Sequence, residues 1–139
     1  AALGLSQLKK IDEFKSRRRQ IVEYYNSELS KIHELVLPYE SSEVNSNFHI
    51  YVLQIKNNNR FDRYDVYSAL KSRYYEPMVH YIPIPNLSYY KRRYGFKAGD
   101  FPVAEKYYES ALTIPLYPSL SDIEIEKVVS DIKSIIENL

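Results

Sequence analysis

His33, His49 and His80 are the three side chains of this 139-residue chain of the type that exchanges a proton near neutral pH. His80 lies in Met78-Val79-His80-Tyr81-Ile82-Pro83-Ile84-Pro85. A short apolar run that ends in His-Tyr and breaks at proline predicts a strand over 78–82 with two polar side chains at an edge. Pattern alone leaves His80 open between a site residue and a structural one. His49 opens a predicted strand after a polar loop. A hydrogen bond to a backbone group is its simpler role, and a site role is the alternative. His33 falls near the expected end of a long helix, where it suits the helix dipole. The three are widely separated, form no His-x-x-x-His pair and have no cysteine beside them, so no metal site is expected. No Gly-x-Ser-x-Gly elbow or phosphate-cradling glycine loop occurs. The acid pairs Asp12/Glu13 and Glu124/Glu126 fall on helix exteriors, so no catalytic set can be assembled from the chain itself.

The elements that must carry these residues can be read from periodicity. Apolar residues recur every three or four positions from Leu5 to Ile32, which predicts one long helix over 3–35. Lys15, Arg17, Arg18 and Arg19 lie midway along it. They read as a solvated face, with a phosphate or subunit contact as the alternative. A polar loop over 37–47 leads into a strand from Phe48 to Ile55, apolar on both faces and therefore central or doubly covered. Asp62-x-x-Asp65 predicts a helix start, with Phe61 stapled onto Val66, running to about Arg73. After the His80 stretch, Ser88 to Tyr94 predicts a short helix stopped at Gly95. Pro102 opens another helix, to about Ser110. Leu112 to Leu116 predicts a short strand. The capping box Ser121-x-x-Glu124 starts a terminal amphipathic helix. The sum is α/β: a long N-terminal helix and a small sheet of three or four strands packed with helices.

Composition narrows the class. A chain of this length is one domain. No apolar run approaches the roughly 18–20 residues of a membrane span, and no secretory leader pattern opens the chain. The lack of cysteine fits a cytoplasmic protein. A net charge of +1 gives no reason to expect nucleic acid. The opening Ala1-Ala2-Leu3-Gly4-Leu5 has no initiator Met and is already helix-like, so the chain is expected to be a piece of something longer.

Four stretches in order point further. They are Ala1 to Leu8 with Arg18 and Tyr24-Tyr25; Val79-His80-Tyr81-Ile82-Pro83 with Tyr89-Tyr90; Gly95-Phe96-Lys97-x-Gly99-Asp100-Phe101-Pro102-Val103-Ala104-Glu105; and Leu112-x-Ile114-Pro115-Leu116-Tyr117-Pro118-x-Leu120. Together they resemble the C-terminal part of the DegT/DnrJ-type sugar aminotransferases over nearly the whole chain. The likeness is closest to enzymes that aminate 4-keto-6-deoxy nucleotide sugars on the route to bacterial pseudaminic acid.

The resemblance implies the C-terminal small domain of a fold-type I pyridoxal-phosphate (PLP) transferase, spanning 1–139. Residues 1–35 would be an interdomain helix and 48–139 an α/β lid module. The PLP-binding large domain would precede Ala1. The family's Schiff-base lysine lies in that domain, so no catalytic residue is assigned in this chain. No PLP is expected to bind to it alone, and it is expected to be inactive alone. His80 and Tyr81 carry over as substrate contacts, with His49 as a secondary candidate. Glutamate would be the amino donor, a nucleotide sugar the acceptor, and the assembly a cytoplasmic homodimer without nucleic acid or membrane partners. Tyr74 departs from the family, standing where relatives commonly have glycine, and Pro85 stands where many have a second histidine. The alternative reading is a free-standing sugar- or nucleotide-binding module without catalysis. If the long helix normally packs on a larger domain, the chain is expected to self-associate through residues 5–32.

Overall fold

A computed structural model describes residues 2–139. In chain order the elements are α1 (Ala2–Leu8), α2 (Ile11–Leu29), β1 (Leu35–Val36), β2 (Tyr51–Ile55), α3 (Arg63–Ser72), α4 (Ser88–Tyr94), α5 (Pro102–Ser110), β3 (Ala111–Ile114) and α6 (Asp122–Asn138). A single 3-10 turn, Ile84–Asn86, lies between α3 and α4.

The sheet is antiparallel, in the order β1-β2-β3. β2 is central, as its apolar residues on both faces predict. Its register with β3 pairs Tyr51 with Ile114, Val52 with Thr113 and Leu53 with Leu112. Successive side chains of a strand point to opposite faces. Tyr51, Leu53, Ile55, Leu112 and Ile114 therefore share one face, and all are buried. This face belongs to one core with α2, α3 and α6. The amphipathic α6 supplies Ile125, Val128, Val129, Ile132, Ile135 and Ile136. Each such side chain, once buried, contributes about 1.5–3 kcal/mol of hydrophobic transfer energy. Val52, Gln54 and Thr113 project from the opposite face, towards the part of the chain that carries His80 and α5.

Local signals set the helix ends where the sequence places them. Asp62 accepts hydrogen bonds from the backbone N–H groups of Tyr64 and Asp65, and the Asp65 carboxylate in turn accepts one from the Asp62 N–H. Phe61 and Val66 are both buried in the core. Gly95 takes the left-handed conformation, φ 74°, that ends α4. Ser121 and Glu124 form the reciprocal box that starts α6.

Four expectations are corrected. The long helix over 3–35 is two helices, broken by a turn at Lys9 and Lys10 and finished at Leu29. His33 consequently lies beyond the helix end, exposed, instead of in its last turn. The first predicted strand begins at Tyr51, not Phe48, because Phe48 adopts φ 42° and cannot join a ladder. The strand over 78–82 shrinks to one bridge, Met78 to Thr113. Beyond Met78 the chain turns away into the prolines Pro83 and Pro85.

Candidate functional site

The site is built outward from β3. Thr113 is the one buried polar side chain among the described residues, at 8% exposure. Its backbone closes the bridge to Met78: the Thr113 N–H donates to Met78 O at 2.8 Å, and Met78 N–H donates back at 3.2 Å. That bridge carries His80 across β3, where His80 Nδ1 and Thr113 Oγ1 lie 2.7 Å apart. The other ring nitrogen, Nε2, makes no hydrogen bond with any described residue. The peptide between His80 and Tyr81 is cis. The two rings meet edge to face at 4.5 Å between centroids. Tyr81 is 73% exposed and stands beside an open, largely apolar groove of about 680 Å³ lined by Pro83, Asp100, Phe101, Val103 and Tyr107.

The start of α4 and the turn after it supply a run of touching rings. Tyr89, Tyr90, Tyr94, Phe96 and Phe101 follow one another at centroid distances between 5.1 and 6.1 Å. None of these five belongs to the main core. They give the 84–110 lobe a small apolar interior of its own, much of it open to solvent: Tyr89 and Tyr94 are each 60% exposed.

The approach to His80 is anchored from the other side. α3 ends with Tyr74 at φ 66°, and the N–H groups of Tyr74 and Tyr75 bond back to Lys71 O and Leu70 O. This turn aims Tyr75 at Asp131 of α6. Asp131 accepts from the Tyr75 hydroxyl at 2.7 Å and from Arg73 at 2.8 Å, and Lys127 bonds to it as well. Burial alone would raise the Asp131 carboxyl, but the bonds from Lys127, Tyr75 and Arg73 outweigh it and hold it below its ordinary range. Burial, reinforced by the bond to Asp131, pushes the Tyr75 hydroxyl up. Arg73 and Tyr75 are thereby tied to α6, Tyr75 three residues before the Met78–Thr113 bridge that leads to His80.

The structure brings His80 and Tyr81 together but does not join His49 to them. His49 is exposed, and no hydrogen bond links it to His80, Thr113 or a backbone group of the described residues, so its expected structural bond is not formed among them. The arginine patch is also not a solvated face. Arg17 donates to Leu120 O at 2.8 Å and pairs with Asp122 at 2.6 Å. Arg19 ties Glu40, Asn45 and the Ser46 carbonyl together and lies over the Phe48 ring. Thr113 was missed by sequence reasoning. It is 33 residues from His80, inside a strand that otherwise reads as apolar, and no local pattern marks it.

The sequence profile of the DegT/DnrJ/EryC1/StrS aminotransferase family matches residues 1–133. The chain belongs to this family. Among its relatives is the spore coat polysaccharide biosynthesis protein SpsC of Bacillus subtilis, 36% identical over 139 residues, which cover 99% of this chain and 36% of SpsC. Another is the UDP-4-amino-4,6-dideoxy-N-acetyl-beta-L-altrosamine transaminase of Campylobacter jejuni, 25% identical over 138 residues, covering 99% of this chain and 36% of that protein. A Streptococcus pneumoniae protein described as a sugar aminotransferase, solved in its PMP form, superposes with a TM-score of 0.88 at 29% identity. It covers 98% of this chain and 34% of its own. The α/β fold of this member of the DegT/DnrJ/EryC1/StrS family is thus that of about a third of an aminotransferase chain. This chain spans about a third of the length of the curated relatives it matches.

Proposed function

We propose that residues 1–139 are the C-terminal small domain of a PLP-dependent aminotransferase that passes an amino group, from glutamate, to a 4-keto-6-deoxy nucleotide sugar. The observation that carries the reading is the Thr113-held His80 beside exposed Tyr81, at the mouth of an apolar groove, in a chain of this family. The substrate class is supported by the sugar nucleotide in the name of the Campylobacter relative. PLP is supported by the PMP form of the Streptococcus structure.

PLP, when bound, supplies the electron sink of amino transfer. The residues here do not fit that cofactor by themselves. Among the described residues no lysine is buried. Lys71 is pushed up by its bond to Glu76, opposite to what an imine-forming amine needs. No step of the cofactor's chemistry is therefore assigned to this chain. Its own residues bind and orient: His80 offers Nε2 to a substrate oxygen, the Tyr81 ring and hydroxyl flank it, and His49 is at most a secondary contact. The large domain with the lysine would precede Ala1, and the assembly would be a cytoplasmic homodimer. Among the described residues no helix is long and apolar enough to cross a membrane.

The test is amino transfer by the product of the complete reading frame, with His80→Ala beside the wild type. Losing one substrate hydrogen bond of about 1.4 kcal/mol raises KM about tenfold. An unchanged KM, or a reading frame with no lysine-bearing domain ahead of Ala1, sinks the proposal. Titrating UDP-N-acetylglucosamine against the 139-residue chain tests the alternative, a stand-alone binding module.

A further inference from the structure

We propose that Thr113 is a positioning residue that locks the neutral His80 ring in its Nε2–H tautomer, so that the site presents a hydrogen-bond donor, not a proton acceptor, to its ligand. The inference deepens the function proposed above and rests on it only for the identity of that ligand.

The argument is an inventory of donors and acceptors. A threonine hydroxyl has one proton to donate. Thr113 is buried, and among the described residues the one hydrogen-bond partner of its hydroxyl is His80 Nδ1 at 2.7 Å. The neutral imidazole has one N–H and one bare nitrogen, and the pair can be arranged in two ways. In the first, Thr113 donates to a bare Nδ1 and the ring proton sits on Nε2. In the second, Nδ1–H donates to Thr113, and the hydroxyl proton is left buried without an acceptor. Nε2 makes no hydrogen bond with any described residue, and His80 is only partly buried. Water can serve Nε2 in either state, so it does not discriminate between them. The buried hydroxyl does, because an unsatisfied buried donor is penalised and a solvated one is not. The first arrangement therefore prevails.

The geometry is held by backbone and not by the side chains alone. The paired Met78–Thr113 hydrogen bonds fix the segment two residues before His80. Edge-to-face contact with Tyr81 further restricts the imidazole. The outward N–H suits an oxygen acceptor: a carbonyl, a hydroxyl or a phosphate oxygen. A ligand group that must itself donate, such as an ammonium, meets no acceptor there. In this state His80 polarises or holds an oxygen and does not take up a proton from the substrate.

The experiment is a long-range proton–nitrogen correlation spectrum of the nitrogen-15-labelled 139-residue chain, at a pH well above the imidazole titration. The expected pattern for His80 is a pyrrole-type Nε2 and a pyridine-type Nδ1. Thr113→Ser keeps the hydroxyl and keeps that pattern. Thr113→Val keeps the shape, loses the donor, and moves the two nitrogen shifts towards the averaged values of a free histidine. A protonated Nδ1 in the wild type overturns the proposal. So does a Thr113→Val spectrum unchanged at His80 while the Met78 and residue-113 amides show the bridge intact. If Thr113→Val does not fold, the wild-type and Thr113→Ser spectra still decide. Adding UDP-N-acetylglucosamine to the same sample separates the two levels of inference. A failure to perturb Nε2–H there counts against the stand-alone binding module alone; the aminotransferase reading falls on an unchanged KM for His80→Ala in the product of the complete reading frame, and the tautomer stands in either case.

Discussion

Tyr74 should be replaceable by glycine with a gain in stability. It occupies the position after the helix cap in a complete Schellman turn. Its N–H bonds to Lys71 O, the next N–H bonds to Leu70 O, and Leu70 and Tyr75 both pack in or against the core. The position requires φ 66°. An L-residue with a Cβ pays about 1–2 kcal/mol in that region. Glycine escapes this, but gives back about 0.5–1 kcal/mol through its freer unfolded chain. The Tyr74 side chain is 96% exposed, so its removal loses almost no burial. The balance for Tyr74→Gly is a stabilisation of about 0.5–1 kcal/mol, or a rise in Tm of about 2–4 °C for a domain of this size. Thermal and urea melts of Tyr74→Gly and Tyr74→Ala together isolate the cause. Alanine keeps the Cβ and should give no comparable gain. If alanine stabilises as much as glycine, or if glycine destabilises, the backbone explanation is refuted.

Asp131→Ala strands the Tyr75 hydroxyl and takes one acceptor from Arg73, which keeps the Asp131 carbonyl and Ser134 Oγ; it should cost about 1.5–3 kcal/mol in urea unfolding, since the lost bonds run to a charged acceptor. Glu28 is held down to about 2, chiefly by its bond from Lys133 and then by that from Lys31. Its folded pKa lies below the unfolded value, so its contribution to stability is full above about 4.5 and is lost as pH falls towards about 2. Glu28→Gln should flatten the fall in Tm across that window, and an unaltered slope would place the acid sensitivity elsewhere. Leu3, Leu5, Leu8 and Ile11 are each more than half exposed, while Ile21 is in the core. Self-association of the 139-residue chain should therefore depend on α1 and the first turn of α2. Sedimentation should show Leu5→Glu/Leu8→Glu as a monomer at concentrations where the parent associates, and a parent already monomeric there contradicts it.

The parts of the fold legible in the sequence were those whose cause is local. Asp62 with Asp65, Gly95, Pro102, and Ser121 with Glu124 each declare a helix end within four residues, and each end lies where they say. The break at Lys9-Lys10 carries no glycine or proline, and the apolar spacing runs on through it to Ile11. β1 is two residues long and exists only through its pairing with Gln54 and Ile55. His80 and Tyr81 stood out because a rare residue type precedes a proline break. Their neighbourhood did not, because the bond to Thr113 is made across the sheet, and one threonine among Leu112 and Ile114 looks like an ordinary strand residue.

The alternation along β3 has a consequence for how such a protein can change. Leu112 and Ile114 face the common core, while Thr113 between them faces His80. Point substitutions at 113 can alter what His80 bonds to while the residues that keep the domain folded stay in place. A one-residue insertion or deletion within this strand has no such freedom, since it would send the hydroxyl into the oily layer and an isoleucine or leucine towards His80. Mutational drift in this segment should therefore proceed by replacement and almost never by a change of length.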